Sequence, residues 1–162
     1  MKDQIIEASI RSLQQEGLRF SVDVLAEKLR ISKKTVYKYF PTKEALAYAM
    51  YEKYYLDLNA KIQDMTRENE NSLPEDLLCC YFDSAKMVRK EIFNKYCLNH
   101  VIGDFALQHH LDVWNTIKPY LCKKMTDYEA EIFKVIIDGA FERAIACNVN
   151  SAAVIGMLRK IK

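Results

Sequence analysis

Apolar residues recur at intervals of three and four along the chain, the period of a helix with one buried face. Ile5, Ile6, Ile10 and Leu13 form the first such stripe, and Gly17 stands where a helix C-cap belongs. Ser21 is placed to cap a short second helix, with Val22, Leu25 and Leu29 inward and Asp23 in its first turn. Arg30 to Ser32 then makes a tight turn, and Ser32 caps a third helix from Lys33 to Phe40. Pro41 stops that helix. Thr42 caps a fourth, which begins at Lys43-Glu44 and continues past Tyr55.

Two short helices joined by a three-residue turn are the helix-turn-helix pattern. Val36 and Phe40, four apart on the third helix, face a small core with Leu25, Leu29 and Ile31, and the opposite side presents Lys33, Lys34, Tyr37 and Lys38. The helical period continues beyond. A polar stretch from Arg67 to Ser72 leads into Ser72 to Glu75, whose spacing is that of a capping box opening a fifth helix through Leu77, Leu78, Tyr81 and Phe82. Further helices are predicted around 93–101 and over 105–124, the latter bent near Pro119. Thr126 to Glu129 is a second capping box, opening a helix to about Cys147, and a last helix runs from Ala152 to Ile161. Half of the 162 residues are hydrophobic, with only four Gly and three Pro, so the fold class expected is all-α.

Charge sharpens this picture. The net balance is +2, yet residues 1–43 hold nine Lys/Arg against five Asp/Glu, and no acid interrupts the six basic residues between Lys28 and Lys43. By charge alone such a block is either a solvated cationic face or a polyanion site; on one outward helix face it suits a DNA groove, where lysines neutralise phosphates and a tyrosine packs on sugar or on a thymine methyl. No signal-peptide pattern or membrane span is apparent, and the five cysteines, odd in number and without a C-x-x-C pair, fit reduced thiols. A cytoplasmic location is expected.

From Ile5 to Leu46 the sequence resembles the TetR family of bacterial transcriptional regulators, through "IIEASIRSLQQEG", "VLAEKLRIS" and above all "TVYKYF" followed at once by "PTKEAL". The segment between Gly17 and Leu25 is a residue shorter than usual. Arg30 occupies a turn position where the family commonly has glycine, and a left-handed backbone there would cost Arg about 1 kcal/mol. The resemblance implies a helix-turn-helix DNA-binding domain over 1–46, joined through a shared fourth helix to a helical effector-binding and dimerisation domain over 47–162. It implies a third helix in the major groove, with Lys33, Lys34, Thr35, Tyr37 and Lys38 near bases or phosphates, and phosphate contacts from Ser21, Tyr39 and Lys43. Tyr39 has an alternative as a core aromatic on the first helix.

Beyond residue 46 no catalytic motif is found, and no cofactor is implied. His109 and His110 are adjacent, so they point about 100° apart on a helix. His100 and Asp104 have helical spacing, but Gly103 is expected to break a helix between them; no metal site is expected. The cysteines read as core. Aromatic side chains concentrate here: Tyr81, Phe82, Phe105, Trp114, Phe133 and Phe141. Most are core by this reading, while the resemblance implies a pocket for a small, apolar effector; Tyr81, Phe82, His110, Trp114 and Phe133 are the candidates to line it.

The helix from Thr126 to Cys147 is apolar on more than one face. Phe133, Ile137, Ala140, Phe141 and Ala144 serve the subunit's own core. Ile132, Val135, Ile136 and Gly139 remain for a partner, because a mid-helix glycine, worth about 1 kcal/mol less than alanine, calls for a packing reason. The alternative is that Gly139 accommodates another helix of the same chain. Relatives pair this helix and the last one into a four-helix bundle. The function expected is a repressor that binds a palindromic operator as a homodimer and is released by the effector. The other class considered is a helical enzyme or interaction adaptor using the helix-turn-helix only for packing; a packing unit needs no lysine-rich outer face.

Overall fold

The computed structural model describes residues 1–16, 21–68, 73–89 and 100–160. Every regular element among them is a helix: α1 Lys2–Glu16, α2 Val22–Lys28, α3 Lys33–Tyr39, α4 Lys43–Glu68, α5 Leu73–Met87, α6 His100–Leu121, α7 Asp127–Ala146 and α8 Ser151–Lys160. The all-α expectation is met. The chain divides into two compact units, Met1–Leu58 with Met87–Gln108, and Asn59–Lys86 with His109–Lys162, so α4 and α6 each contribute residues to both.

In the first unit α1 buries Ile5, Ile6 and Ala8 against Val22, Leu25 and Ala26 of α2, Val36 of α3, and Phe40 and Leu46 beyond it. Removing a Leu, Ile or Phe side chain from water contributes about 1.5–3 kcal/mol, so this small cluster is enough to hold three short helices that would not persist alone. Ser9 is tolerated in the buried face because its hydroxyl donates to the Ile5 carbonyl at 2.7 Å. Tyr51 of α4 is likewise buried with its hydroxyl satisfied, donating to the Met87 carbonyl at 2.8 Å.

The second unit is built on α5, α6 and α7, with Leu77, Tyr81, Phe82, Val113, Ile117, Ile137 and Phe141 fully buried. The capping box expected at Thr126 is formed: its hydroxyl accepts from the Glu129 amide at 3.3 Å, and the Glu129 carboxylate accepts from the Thr126 amide at 2.7 Å. These bonds also hold the Glu129 carboxyl below its ordinary range. At the other end Asn148 adopts φ 55°, and the Val149 amide reaches the Ala144 carbonyl at 2.8 Å, closing α7 with a left-handed turn that asparagine tolerates.

Several expectations are corrected. α6 begins at His100 rather than near Phe105 and passes through Gly103 without a break, so His100 and Asp104 share one helix. A single glycine lowers helix propensity by about 1 kcal/mol, too little to interrupt a 22-residue helix. Not all cysteines are core: Cys80 and Cys122 are buried, Cys79 is half-buried and Cys147, at the C-cap of α7, is exposed. Gly17, the capping serine at 72, Cys97 and most of the predicted 93–101 helix lie outside the described residues. No helix among the described residues is long and apolar enough to cross a membrane.

Candidate nucleic-acid interface

Each short helix of the helix-turn-helix is fixed by its own cap. The Ser21 hydroxyl accepts from the Val24 amide at 3.2 Å, and the Ser32 hydroxyl accepts from the Thr35 amide at 3.0 Å. Between them Arg30 takes φ 54°, the left-handed conformation expected of the turn, and the Ile31 amide returns to the Ala26 carbonyl at 3.0 Å. α3 ends where the Phe40 amide reaches the Val36 carbonyl at 2.9 Å, and Thr42 starts α4 by accepting from the Ala45 amide at 3.1 Å. These local bonds set the direction of α3 before any long-range contact is considered.

The core anchors α3 on one side only. Val36 and Phe40 are buried, whereas Lys33, Lys34, Lys38, Tyr39 and Lys43 are exposed. Among the described residues Lys34 and Lys38 make no ion pair, leaving both ammonium groups available to an external anion. Tyr39, 39% exposed, is not a core residue of α1. Tyr37 departs from the sequence reading, which put it wholly on the outer side: its ring is half-buried at the edge of the core. A tyrosine accommodates both roles, with an apolar ring inside and a hydroxyl at the rim. Ser21 and Thr35 are half-buried, and the Thr35 hydroxyl lies 2.8 Å from that of Ser32.

Lys33 has a partner the sequence reading missed. Its ammonium lies 2.9 Å from Oδ1 and 3.1 Å from Oδ2 of Asp23, on the first turn of α2. The hydrogen bond and the charge of Asp23 raise the Lys33 pKa. The signal was present, since a helix-turn-helix brings the first turns of its two helices side by side, but Asp23 had been read only as a favourable first-turn acid.

All five candidate effector residues belong to the second unit, and two of them, His110 and Trp114, pack on the ring of Tyr81. Its ring stacks on His110 with centroids 4.7 Å apart and 9° between planes, and lies 5.4 Å from Trp114. Phe82 meets Phe141 edge-on at 4.6 Å. Phe133, half-buried, is 6.5 Å from Trp114. Phe105, grouped with these in sequence, belongs to the first unit, where it meets Tyr48 edge-on at 5.1 Å.

A polar chain runs through this aromatic cluster. The Tyr81 hydroxyl donates to Asp138 at 2.8 Å, Asp138 pairs with Lys134, and the Lys134 ammonium lies over the rings of Tyr81 and Trp114. His110 Nδ1 is 2.8 Å from the Ser84 hydroxyl. Burial pushes the His110 pKa down to about 4, against the opposing pull of Asp138, so the ring is neutral near pH 7. The bonds of Ser84 and Asp138 to His110 and Tyr81 are not visible in the sequence because each joins two helices, whereas Lys134 and Asp138 stand four apart on α7. No group of three or more His, Cys, Asp or Glu among the described residues could hold a metal ion.

On α7, Ile132, Val135 and Ile136 are 43%, 72% and 57% exposed, and Tyr128 extends the same stripe by one turn. A Cβ added at Gly139 would meet nothing within 4 Å, so no other described helix of the chain explains that glycine.

Comparison with known proteins agrees with this geometry. Residues 5–50 match the family model described as bacterial regulatory proteins, tetR family. The chain is 23% identical over 121 residues to the uncharacterised HTH-type transcriptional regulator YvaF of Bacillus subtilis (strain 168), a match covering 75% of this chain but 60% of that protein. In fold it is similar to the crystal structure of a transcriptional regulator (TerR/AcrR family) from Aquifex aeolicus VF5, with a TM-score of 0.64 at 20% identity over 98% of this chain and 95% of that one. Residues 5–50 thus carry a helix-turn-helix of the tetR-family type, on an all-helical fold similar to that of a solved transcriptional regulator.

Proposed function

We propose that the protein is a repressor that binds a palindromic operator as a homodimer, through a DNA-binding domain over 1–46, and releases it when a small apolar effector binds within 47–162. The observation that carries the reading is the division of α3 into a buried side, Val36 with Phe40 at its C-cap, and an outward side bearing Lys33, Lys34 and Lys38. Exposed cations at the start of a recognition helix suit phosphates and base edges in a major groove, and Lys43, Tyr39 and Ser21 are the further phosphate contacts in this reading. A helix used only for packing would gain nothing from that side.

Dimer formation is supported by the apolar stripe Ile132, Val135, Ile136 and Gly139 on α7, an unusual surface for a monomer. A two-fold pair would present its recognition helices to two half-sites one DNA turn apart. The effector reading draws on the concentration of aromatic rings at Tyr81, Phe82, His110, Trp114 and Phe133. An effector can release DNA only by binding one spacing of the recognition helices better than the other. Such a protein works in the cytoplasm.

The test is selection of bound duplexes from a random-sequence pool, followed by footprinting. An inverted repeat protected by a dimer supports the proposal. Recovery of unrelated sequences, with no enrichment over rounds, would overturn it.

A further inference from the structure

The cations of α3 are not equivalent. Lys34 and Lys38 make no ion pair among the described residues, whereas the Lys33 ammonium is held by both carboxylate oxygens of Asp23 at 2.9 and 3.1 Å. The two side chains are 51% and 70% exposed, so the pair is open to solvent. Exposed pairs of this kind contribute little to folding stability. Its contribution to the fold is therefore small.

The pair changes what Lys33 can do on DNA. Its net charge is zero, so it gains little from a phosphate and displaces no net counterion. Were a phosphate to take the lysine, Asp23 would be left unpaired beside a polyanion. An ammonium carries three N–H donors, and a carboxylate engages at most two of them, leaving at least one directed away from Asp23. Such a donor, neutralised and held in place from a second helix, responds to the direction of an acceptor more than to its charge. Base edges in the major groove supply acceptors of that kind, guanine O6 and N7 foremost.

We infer that Asp23 is a specificity-determining residue: it holds Lys33 as a charge-neutral donor for a base acceptor and keeps it from serving as a general phosphate contact. Resting on the DNA-binding reading above, this adds a division of labour in which Lys34 and Lys38 supply affinity for any duplex and the Asp23–Lys33 pair supplies discrimination.

The test measures binding of the full chain and of Asp23→Asn, Lys33→Ala and Lys34→Ala across a salt series. The probes are a duplex selected from a random pool by the unaltered protein and a shuffled duplex of the same composition. Freed from Asp23, Lys33 should take a phosphate, so Asp23→Asn steepens the salt dependence of log K by about 0.9 per subunit. It should also bind the shuffled duplex severalfold more tightly and lose roughly tenfold in preference for the selected one, the size of one base contact. Lys33→Ala should lose that preference with its salt slope unchanged, while Lys34→Ala flattens the slope on both duplexes. The inference fails if Asp23→Asn leaves slope and preference as they were, or if Lys33→Ala flattens the slope as much as Lys34→Ala does. Should Asp23→Asn not fold, as judged by its helical circular dichroism, Lys33→Ala decides alone. An unaltered protein that binds neither duplex would refute the DNA-binding reading itself.

Discussion

The helix-turn-helix and the aromatic cluster of the second unit put their polar groups to opposite use. In the first, apolar side chains fill a small core and charged ones are carried outward, where Lys34 and Lys38 are exposed. In the second, polar groups are drawn in among rings: His110 is buried against Tyr81, and Tyr81 reaches Asp138 through its hydroxyl. An outward charge costs the fold almost nothing and is free to act on a partner. A buried polar group must be satisfied internally, so it fixes the geometry of its neighbours. One region turns its polar groups to solvent, and the other bonds them to its own side chains.

The widest contrast between stability and binding lies within a few residues of α3. Phe40→Ala removes a buried ring and should cost about 3–5 kcal/mol of stability, enough to unfold the N-terminal helices at moderate temperature. Lys34→Ala should change stability by less than about 0.5 kcal/mol yet weaken binding to every duplex. Thermal melts followed by circular dichroism, paired with DNA titrations, check both. A large stability loss from Lys34→Ala would break the contrast.

Next in size is the acid sensitivity of the second unit. His110 has a pKa near 4 in the fold against about 6.5 in the unfolded chain, so between those values the unfolded state binds more protons. Its contribution is therefore complete above pH 6.5 and is lost as pH falls towards 4, by about 3 kcal/mol in all. Urea melts at pH 7 and pH 4.5 should show the unaltered protein losing more stability than His110→Gln, which does not titrate. Equal losses would mean that His110 is hydrated in the fold.

The smallest expected effect has the most telling sign. Among the described residues nothing crowds Gly139, so Gly139→Ala should stabilise α7 by about 1 kcal/mol. If a partner helix packs there, the added methyl also weakens the dimer. The expectation is a tighter monomer and a looser dimer, read by sedimentation over a dilution series. Unchanged association would remove Gly139 from the interface.

How much of this was legible in the sequence follows the same contrast. Ser21, Ser32, Thr42 and Thr126 were readable as caps because each bonds an amide three residues on, a distance the sequence itself displays. The outward lysines followed from the positions of Val36 and Phe40. The links from Ser84 to His110 and from Tyr81 to Asp138 span 26 and 57 residues, and only the packing of different helices creates them. Gly103 misled because a local propensity was weighed without the tertiary support of a long helix. Asp23 lies between these cases, ten residues from Lys33 and joined to it by a turn that was itself predicted.

The proposed role of the outward lysines of α3 is to hold DNA. It is tested most directly by the salt dependence of binding to a pool-selected duplex, for the unaltered protein and for Lys34→Ala/Lys38→Ala. The account predicts a steep fall of log K with log salt, flattened in the double variant by about 1.8 per subunit, two phosphate contacts at about 0.9 each. A slope that the double variant leaves unchanged, with folding intact, would contradict it.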